Sequence, residues 1–151
     1  MKTIITTLTA ILVATALQAQ IVASNGTYYT VDYELYNGVH TEYFDNGNLK
    51  LEMSLINGIM DGITMLYHEN GKKSEKWSYA NGKMDGNWVT WNENGNKVAE
   101  ANYTNGKKDG KWFIWDDKGT LRFDMTYEKG NKTGTWIKYG VDGQVESKHT
   151  Y

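Results

Sequence analysis

The chain has 151 residues, a formal net charge of −2, and neither cysteine nor proline. Disulfide frameworks, thiolate metal sites and a lipid-modified cysteine are therefore excluded. No block of basic residues supplies the electrostatic footprint of a nucleic-acid binder or of a polybasic membrane patch.

The first residues set a single positive charge, Lys2, before an apolar run from Ile4 to Leu17 and then Gln18-Ala19-Gln20. This is the layout of a cleavable secretory signal over residues 1–19. It is too short for a stable membrane span, which takes about 20 apolar residues. The expected mature protein is exported and soluble, either in the periplasm or cell envelope or outside the cell. Residues 20–35 read as an N-terminal half-repeat cap, in which Gly26-Thr27-Tyr28-Tyr29-Thr30-Val31-Asp32-Tyr33 is a second strand without a first.

From residue 36 to 151 the sequence reads as five units of about 24 residues. Gly58, Gly82, Gly106 and Gly130 stand 24 apart, as do Gly38, Gly62, Gly86, Gly110 and Gly134, and again Gly47, Gly71, Gly95, Gly119 and Gly143. A period in this range marks a tandem array rather than a domain with one central core. Within a unit, two short runs rich in aromatic and β-branched residues flank an Asn-Gly or similar turn, which is the signal of a β-hairpin. The expected fold is all-β: an elongated, twisted antiparallel sheet of tandem hairpins, single-layered and solenoid-like, with no helix after the leader.

Register decides which side chains share a face. A two-residue turn at Asn70-Gly71 would put Met65 opposite Lys76 and Tyr67 opposite Ser74. A three-residue loop, Glu69-Asn70-Gly71, puts Tyr67 opposite Lys73, Met65 opposite Glu75 and Ile63 opposite Trp77. In the fourth unit the same loop sets Trp115 beside Leu121, Phe113 beside Phe123 and Lys111 beside Met125. The three-residue loop is preferred, and it predicts one face carrying Tyr43, Tyr67, Trp91, Trp115 and Tyr139 from first strands. The same face would carry Leu55, Tyr79, Tyr103, Tyr127 and Tyr151 from second strands. Trp88, Trp112 and Trp136 then fall on the opposite face among Lys76, Glu100, Asp124 and Lys148.

The recurring Asp-Gly-x-Trp-x-x-Trp-x-x-x-Gly, followed by Tyr-x-Asn-Gly-Lys-x-Asp-Gly, is clearest at Asn81-Gly82-Lys83-Met84-Asp85-Gly86-Asn87-Trp88 and at Asn105-Gly106-Lys107-Lys108-Asp109-Gly110-Lys111-Trp112. This pattern resembles the MORN repeat variant, in particular the form found in bacterial YwqK-type antitoxin-like proteins, over roughly residues 36–151. The resemblance implies stacked hairpins used for protein association or membrane contact, with no shared catalytic residues. His40 and Thr64 stand where later units have tryptophan, so the first two units are either looser or face a different contact.

The candidate binding residues are the two ring rows, Tyr43, Tyr67, Trp91, Trp115 and Tyr139, with Trp88, Trp112 and Trp136. Asp61, Asp85 and Asp109 form a column, but each precedes a glycine in a turn, where aspartate bonds its own backbone rather than calcium. His40, His68 and His149 have no metal-ligand spacing. Asp116-Asp117 sits at a hairpin tip, exposed and ionised, and no nucleophile, phosphate-loop or dinucleotide motif appears. The expectation is a non-catalytic scaffold without cofactor or metal whose partner is another protein. The alternatives are a carbohydrate or cell-wall binding module and a toxin-neutralising protein. Nucleic acid and membrane contact are not expected, and the open strand ending at Tyr151 invites edge-to-edge self-association.

Overall fold

A computed structural model describes residues 20–151, so the secretory-signal reading of residues 1–19 lies outside the described residues. Among the described residues there are fourteen strands and no helix. They are β1 (Ile21–Ser24), β2 (Thr27–Thr30), β3 (Gly38–Tyr43), β4 (Leu49–Ile56), β5 (Ile59–Tyr67), β6 (Lys73–Ala80), β7 (Lys83–Met84), β8 (Gly86–Trp91), β9 (Lys97–Thr104), β10 (Lys107–Lys108), β11 (Gly110–Trp115), β12 (Leu121–Glu128), β13 (Asn131–Tyr139) and β14 (Val145–Thr150). β1 and β2 form a separate hairpin. The other strands form one open 12-stranded antiparallel sheet running from β3 to β14 in chain order, with β7 and β10 pairing beside β6 and β9.

Two kinds of turn alternate along the array. At the hairpin tips the Gly71 N–H donates to His68 O at 2.9 Å and the His68 N–H to Lys72 O at 2.8 Å, which closes the expected three-residue loop. Between hairpins, Asn57, Asn81 and Asn105 adopt φ 50 and are followed by glycine at φ 73 to 76. This is the two-residue turn with both φ positive that asparagine-glycine favours.

The loop length agrees with expectation, but the register beyond it does not. Tyr67 pairs with Lys73 as expected, whereas Leu66 pairs with Glu75, Met65 with Lys76 and Thr64 with Trp77. Likewise Trp115 pairs with Leu121, but Phe113 faces Asp124 and Lys111 faces Thr126. One unmatched residue on each second strand causes the shift: Lys50, Ser74, Val98, Arg122 and Glu146. A β-bulge of this kind inverts the alternation of everything beyond it on that strand. Tyr79, Tyr103, Tyr127 and Tyr151 consequently share a face with Trp88, Trp112 and Trp136. Tyr43, Tyr67, Trp91, Trp115 and Tyr139 lie on the other face.

That second face is built as an alternating row. Glu52, Met65, Lys76, Val89, Glu100, Phe113, Asp124, Ile137 and Lys148 follow one another across paired strands, charged on second strands and apolar on first strands. Each apolar side chain is thus bracketed by the aliphatic stems of charged neighbours. Lys111 and Asp124 form a 2.7 Å ion pair there.

The cap is a complete hairpin rather than a lone second strand, since β1 supplies the partner of Thr27–Thr30. It is tied to the array where the Tyr28 N–H donates to Gly58 O at 2.8 Å and the Gly58 N–H to Tyr36 O at 2.8 Å. Gly58 has no substitute, because a Cβ there would come within 2.6 Å of Tyr28 O and the backbone has φ +73. The first two units are not looser. Met53, Leu55 and Thr64, at 4%, 1% and 6% exposure, are among the most buried side chains of the protein.

Candidate functional site

The bulges leave a continuous ladder of rings on one face. Tyr103 and Trp112 lie 5.3 Å apart between ring centroids, Trp112 and Tyr127 5.2 Å, Tyr127 and Trp136 5.1 Å, and Trp136 and Tyr151 4.8 Å. Interplanar angles of 55 to 59° tilt each ring edge towards the next face, the arrangement the aromatic quadrupole favours. Trp88 continues the row 6.2 Å from Trp112, and Trp77 lies 6.3 Å from Trp88.

Each indole is oriented by its N–H. Trp112 donates to Asn102 O at 3.1 Å and Trp136 to Thr126 O at 2.9 Å. Trp77 and Trp88 both donate to the Glu75 carboxylate, at 2.6 and 3.3 Å. The rings are therefore held in place before anything binds, which lowers the ordering cost of a contact.

Lysines occupy the clefts between rungs. The Lys108 ammonium sits 4.2 Å from the Trp112 ring and 4.9 Å from the Tyr127 ring. Lys132 sits 4.6 Å from Trp136 and 4.8 Å from Tyr151, and donates to the Tyr151 hydroxyl at 3.2 Å. In earlier units the same positions are Met60 and Met84. The residue at this position thus changes from thioether to cation along the array. Sequence reading missed these lysines, although their 24-residue spacing from the methionines was a usable signal.

Burial raises the Tyr79 phenol above its ordinary value, with the Tyr28 phenol and the Glu75 carboxylate adding to it. Burial likewise raises Tyr103, with Tyr127 beside it. Tyr28 of the cap hairpin thus acts electrostatically on Tyr79, in the second unit, which has Thr64 in place of the first-strand tryptophan. A cleft of about 710 Å³ separates the cap from the first hairpin, lined by Ile21, Val22, Tyr28, His40, Leu51 and Met53 among others.

The remaining candidate residues are dispersed on the opposite face. Trp115 lies 5.7 Å from Phe113 with the Lys97 ammonium 5.6 Å from its ring, and Tyr43 is 55% exposed. Tyr67 is raised by burial and then by Glu52. None of Tyr43, Tyr67, Trp91, Trp115 and Tyr139 is in ring contact with another of the set among the described residues.

The aspartate column also differs in its bonding. Asp61 accepts the Asn81 N–H at 2.9 Å, Asp85 the Asn105 N–H at 3.0 Å and Asp109 the Lys129 N–H at 3.2 Å, so each carboxylate secures the next inter-hairpin turn rather than its own backbone. Among the described residues no group of histidine and carboxylate side chains converges as a metal site. Asp116 at its hairpin tip is held below the usual carboxylate range, chiefly by the Thr120 N–H, with the Lys118 N–H and Arg122 adding to this.

Comparison with known proteins agrees with this geometry. No curated protein matches the chain. The profile described as MORN repeat variant matches residues 36–57, 60–81, 84–105 and 108–129, each span covering one hairpin and the turn beyond it. The fifth hairpin, β13–β14, lies outside the matched spans and repeats the same loop and bulge. With more than half of its residues matched in four consecutive units, the chain belongs to the MORN repeat variant family.

Proposed function

We propose that the protein is an exported, non-catalytic scaffold that binds another protein across its ladder face, through Trp112, Trp136, Tyr127 and Tyr151. MORN repeats generally mediate binding, to proteins or to membrane lipids. The observation that carries the protein reading is the ladder itself: half-buried rings fixed by indole N–H bonds, bordered by lysines, on a sheet face that no other described element covers at its C-terminal end. Aromatic anchors with a charged rim are the composition of protein interfaces.

A glycan or choline-type ligand would need the ring faces and clefts free. At the two C-terminal rungs the chain's own Lys108 and Lys132 fill them, so tryptophan fluorescence is expected to stay unchanged on titration with cell-wall fragments. The toxin-neutralising role that the antitoxin name suggests would use the same surface and differ only in the partner. Export rests on the layout of residues 1–19.

The test is photo-crosslinking from the purified protein in native envelope extract. One probe replaces Ile114, which is 39% exposed on the ladder face. The other replaces Lys111 on the opposite face. A discrete protein adduct from position 114 and none from 111 supports the reading. Adducts from neither position, or from 111 alone, would sink it.

A further inference from the structure

The described chain is electrically lopsided. Residues 20–105 hold six lysines against eleven carboxylates, and residues 106–151 hold nine lysines and arginines against seven. At the basic end, Lys108 and Lys132 border the ladder with no carboxylate in ion-pair distance among the described residues.

At the acidic end, a loop following β2 presents the opposite chemistry. The Tyr33 N–H donates to Thr30 O at 3.0 Å, the Thr30 N–H to Glu34 O at 2.8 Å, and the Glu34 N–H to the Thr30 hydroxyl at 3.2 Å. These bonds hold Tyr33 at φ 63, a conformation that a bulky side chain adopts only at a cost in backbone strain. The Tyr33 ring is 80% exposed and makes no ring contact, and Val31 and Leu35 beside it are 55% and 48% exposed. Asp32 and Glu34 flank it, and neither forms an ion pair among the described residues. The strain is unexplained by packing among the described residues. It presents an aromatic ring between two carboxylates.

We propose that this loop docks on the C-terminal ladder of a second copy. Tyr33 packs against the ring edges of Trp136 and Tyr151 that Lys132 leaves uncovered, and Asp32 and Glu34 meet the ammonium groups of Lys132 and Lys108. The second copy is the occupant because one sequence carries both halves of the complementarity, at positions that cannot meet within one molecule. The cap is tied to the array at the β4–β5 turn, and six strand spacings separate β5 from the β13 strand that carries Lys132 and Trp136, on the order of 30 Å at the usual inter-strand distance. Such a contact is head-to-tail, so it propagates into open chains rather than closing as a dimer. It rests on the reading of the ladder as a docking face, and a bound partner would compete with it.

Sedimentation velocity on the purified protein tests this. Average mass should rise with concentration at low ionic strength and fall back to monomer at high ionic strength. Asp32→Lys with Glu34→Lys, or Lys108→Glu with Lys132→Glu, should each weaken self-association by more than about tenfold. Mixing the two charge-reversed proteins should restore association, as chains in which the two variants alternate, since each loop then meets a ladder of opposite charge only on the other variant. Tyr33→Asn supplies a control for misfolding: asparagine tolerates positive φ, so thermal stability should hold or rise while self-association falls. A monomeric parent protein at low ionic strength, unaltered assembly in either charge variant, or failure of the mixture to associate would each overturn the proposal. The loop variants leave the ladder intact, so adducts from position 114 in the Asp32→Lys, Glu34→Lys protein report on the foreign partner independently.

Discussion

The two ends of this sheet are made from one repeat and solve the same problem differently. A single layer has no interior, so each unit must cover its apolar face with what lies beside it in the row. In β11 to β14 the first-strand position holds Trp112 and Trp136, and rings about 5 Å apart cover one another while staying half exposed. In β3 to β5 the equivalent positions hold His40 and Thr64, the row of rings is broken, and the burial of Met53 and Leu55 accompanies a separate hairpin tied on through Gly58. One end carries a cap and the other leaves its ladder uncovered among the described residues. The difference is set by a few side chains in an otherwise constant frame.

The largest expected effects break this contrast directly. Met53→Ala should cost about 3 kcal/mol, because a fully buried side chain is removed beneath a cover that can only partly collapse. Trp136→Ala should cost nearer about 2 kcal/mol, since its ring is half exposed and its neighbours keep other contacts. Urea denaturation of the two variants checks the ranking, and a larger loss at Trp136 would mean that the open end, rather than the capped one, is the more tightly packed.

A smaller effect of opposite sign is expected at Thr64, whose hydroxyl is buried without a partner. Thr64→Val should stabilise the protein by roughly 1 kcal/mol by removing an unsatisfied polar group. No gain in the denaturation midpoint would imply that the hydroxyl is satisfied in solution.

Alkaline titration separates the two ends without disturbing their packing. The Tyr79 and Tyr103 phenols are raised, first by burial, then by Tyr28 at the capped end and by Tyr127 on the ladder. Their stabilising contribution belongs to the neutral form. It is complete below the ordinary tyrosine value of about 10 and is lost as pH rises through the raised values. Phenolate absorbance should show late-titrating groups, with Tyr28→Phe advancing Tyr79 alone and Tyr127→Phe advancing Tyr103 alone. If either substitution shifts both phenols equally, the two ends are not electrostatically separate.

The smallest effect is expected on the opposite face, where Tyr43→Ala should stay within about 0.5 kcal/mol of the parent protein because the ring is largely exposed. A loss several times larger would place a structural contact there.

Much of this architecture is legible in the sequence for a physical reason: positive φ restricts the turns to glycine and asparagine, so their 24-residue spacing exposes the hairpins. The tip loop Glu69-Asn70-Gly71 can be derived in the same way. The bulges at Lys50, Ser74, Val98, Arg122 and Glu146 cannot, since five residues of unrelated chemistry share only a position and a bulge needs no particular side chain. Missing that one residue per unit puts Tyr103 and Tyr127 with Trp91 and Trp115, when they stack with Trp112 and Trp136. The ladder is therefore visible as a set of columns and invisible as a surface. Lys108 and Lys132 share the 24-residue column of Met60 and Met84, which marks the position, but their place between the rings is set by the same bulged register and is not legible without it.

The bulged register is the claim on which the ladder stands, and the absence of native cysteine makes it testable by disulfide trapping. Across β11 and β12 the structure pairs Phe113 with Asp124, whereas an unbulged strand would pair Phe113 with Phe123. Under mild oxidation Phe113→Cys with Asp124→Cys should cross-link rapidly and Phe113→Cys with Phe123→Cys should not, since side chains on opposite faces cannot meet disulfide geometry. Rapid cross-linking of the second pair in place of the first would return the tyrosines to the face of Trp115 and dissolve the ladder.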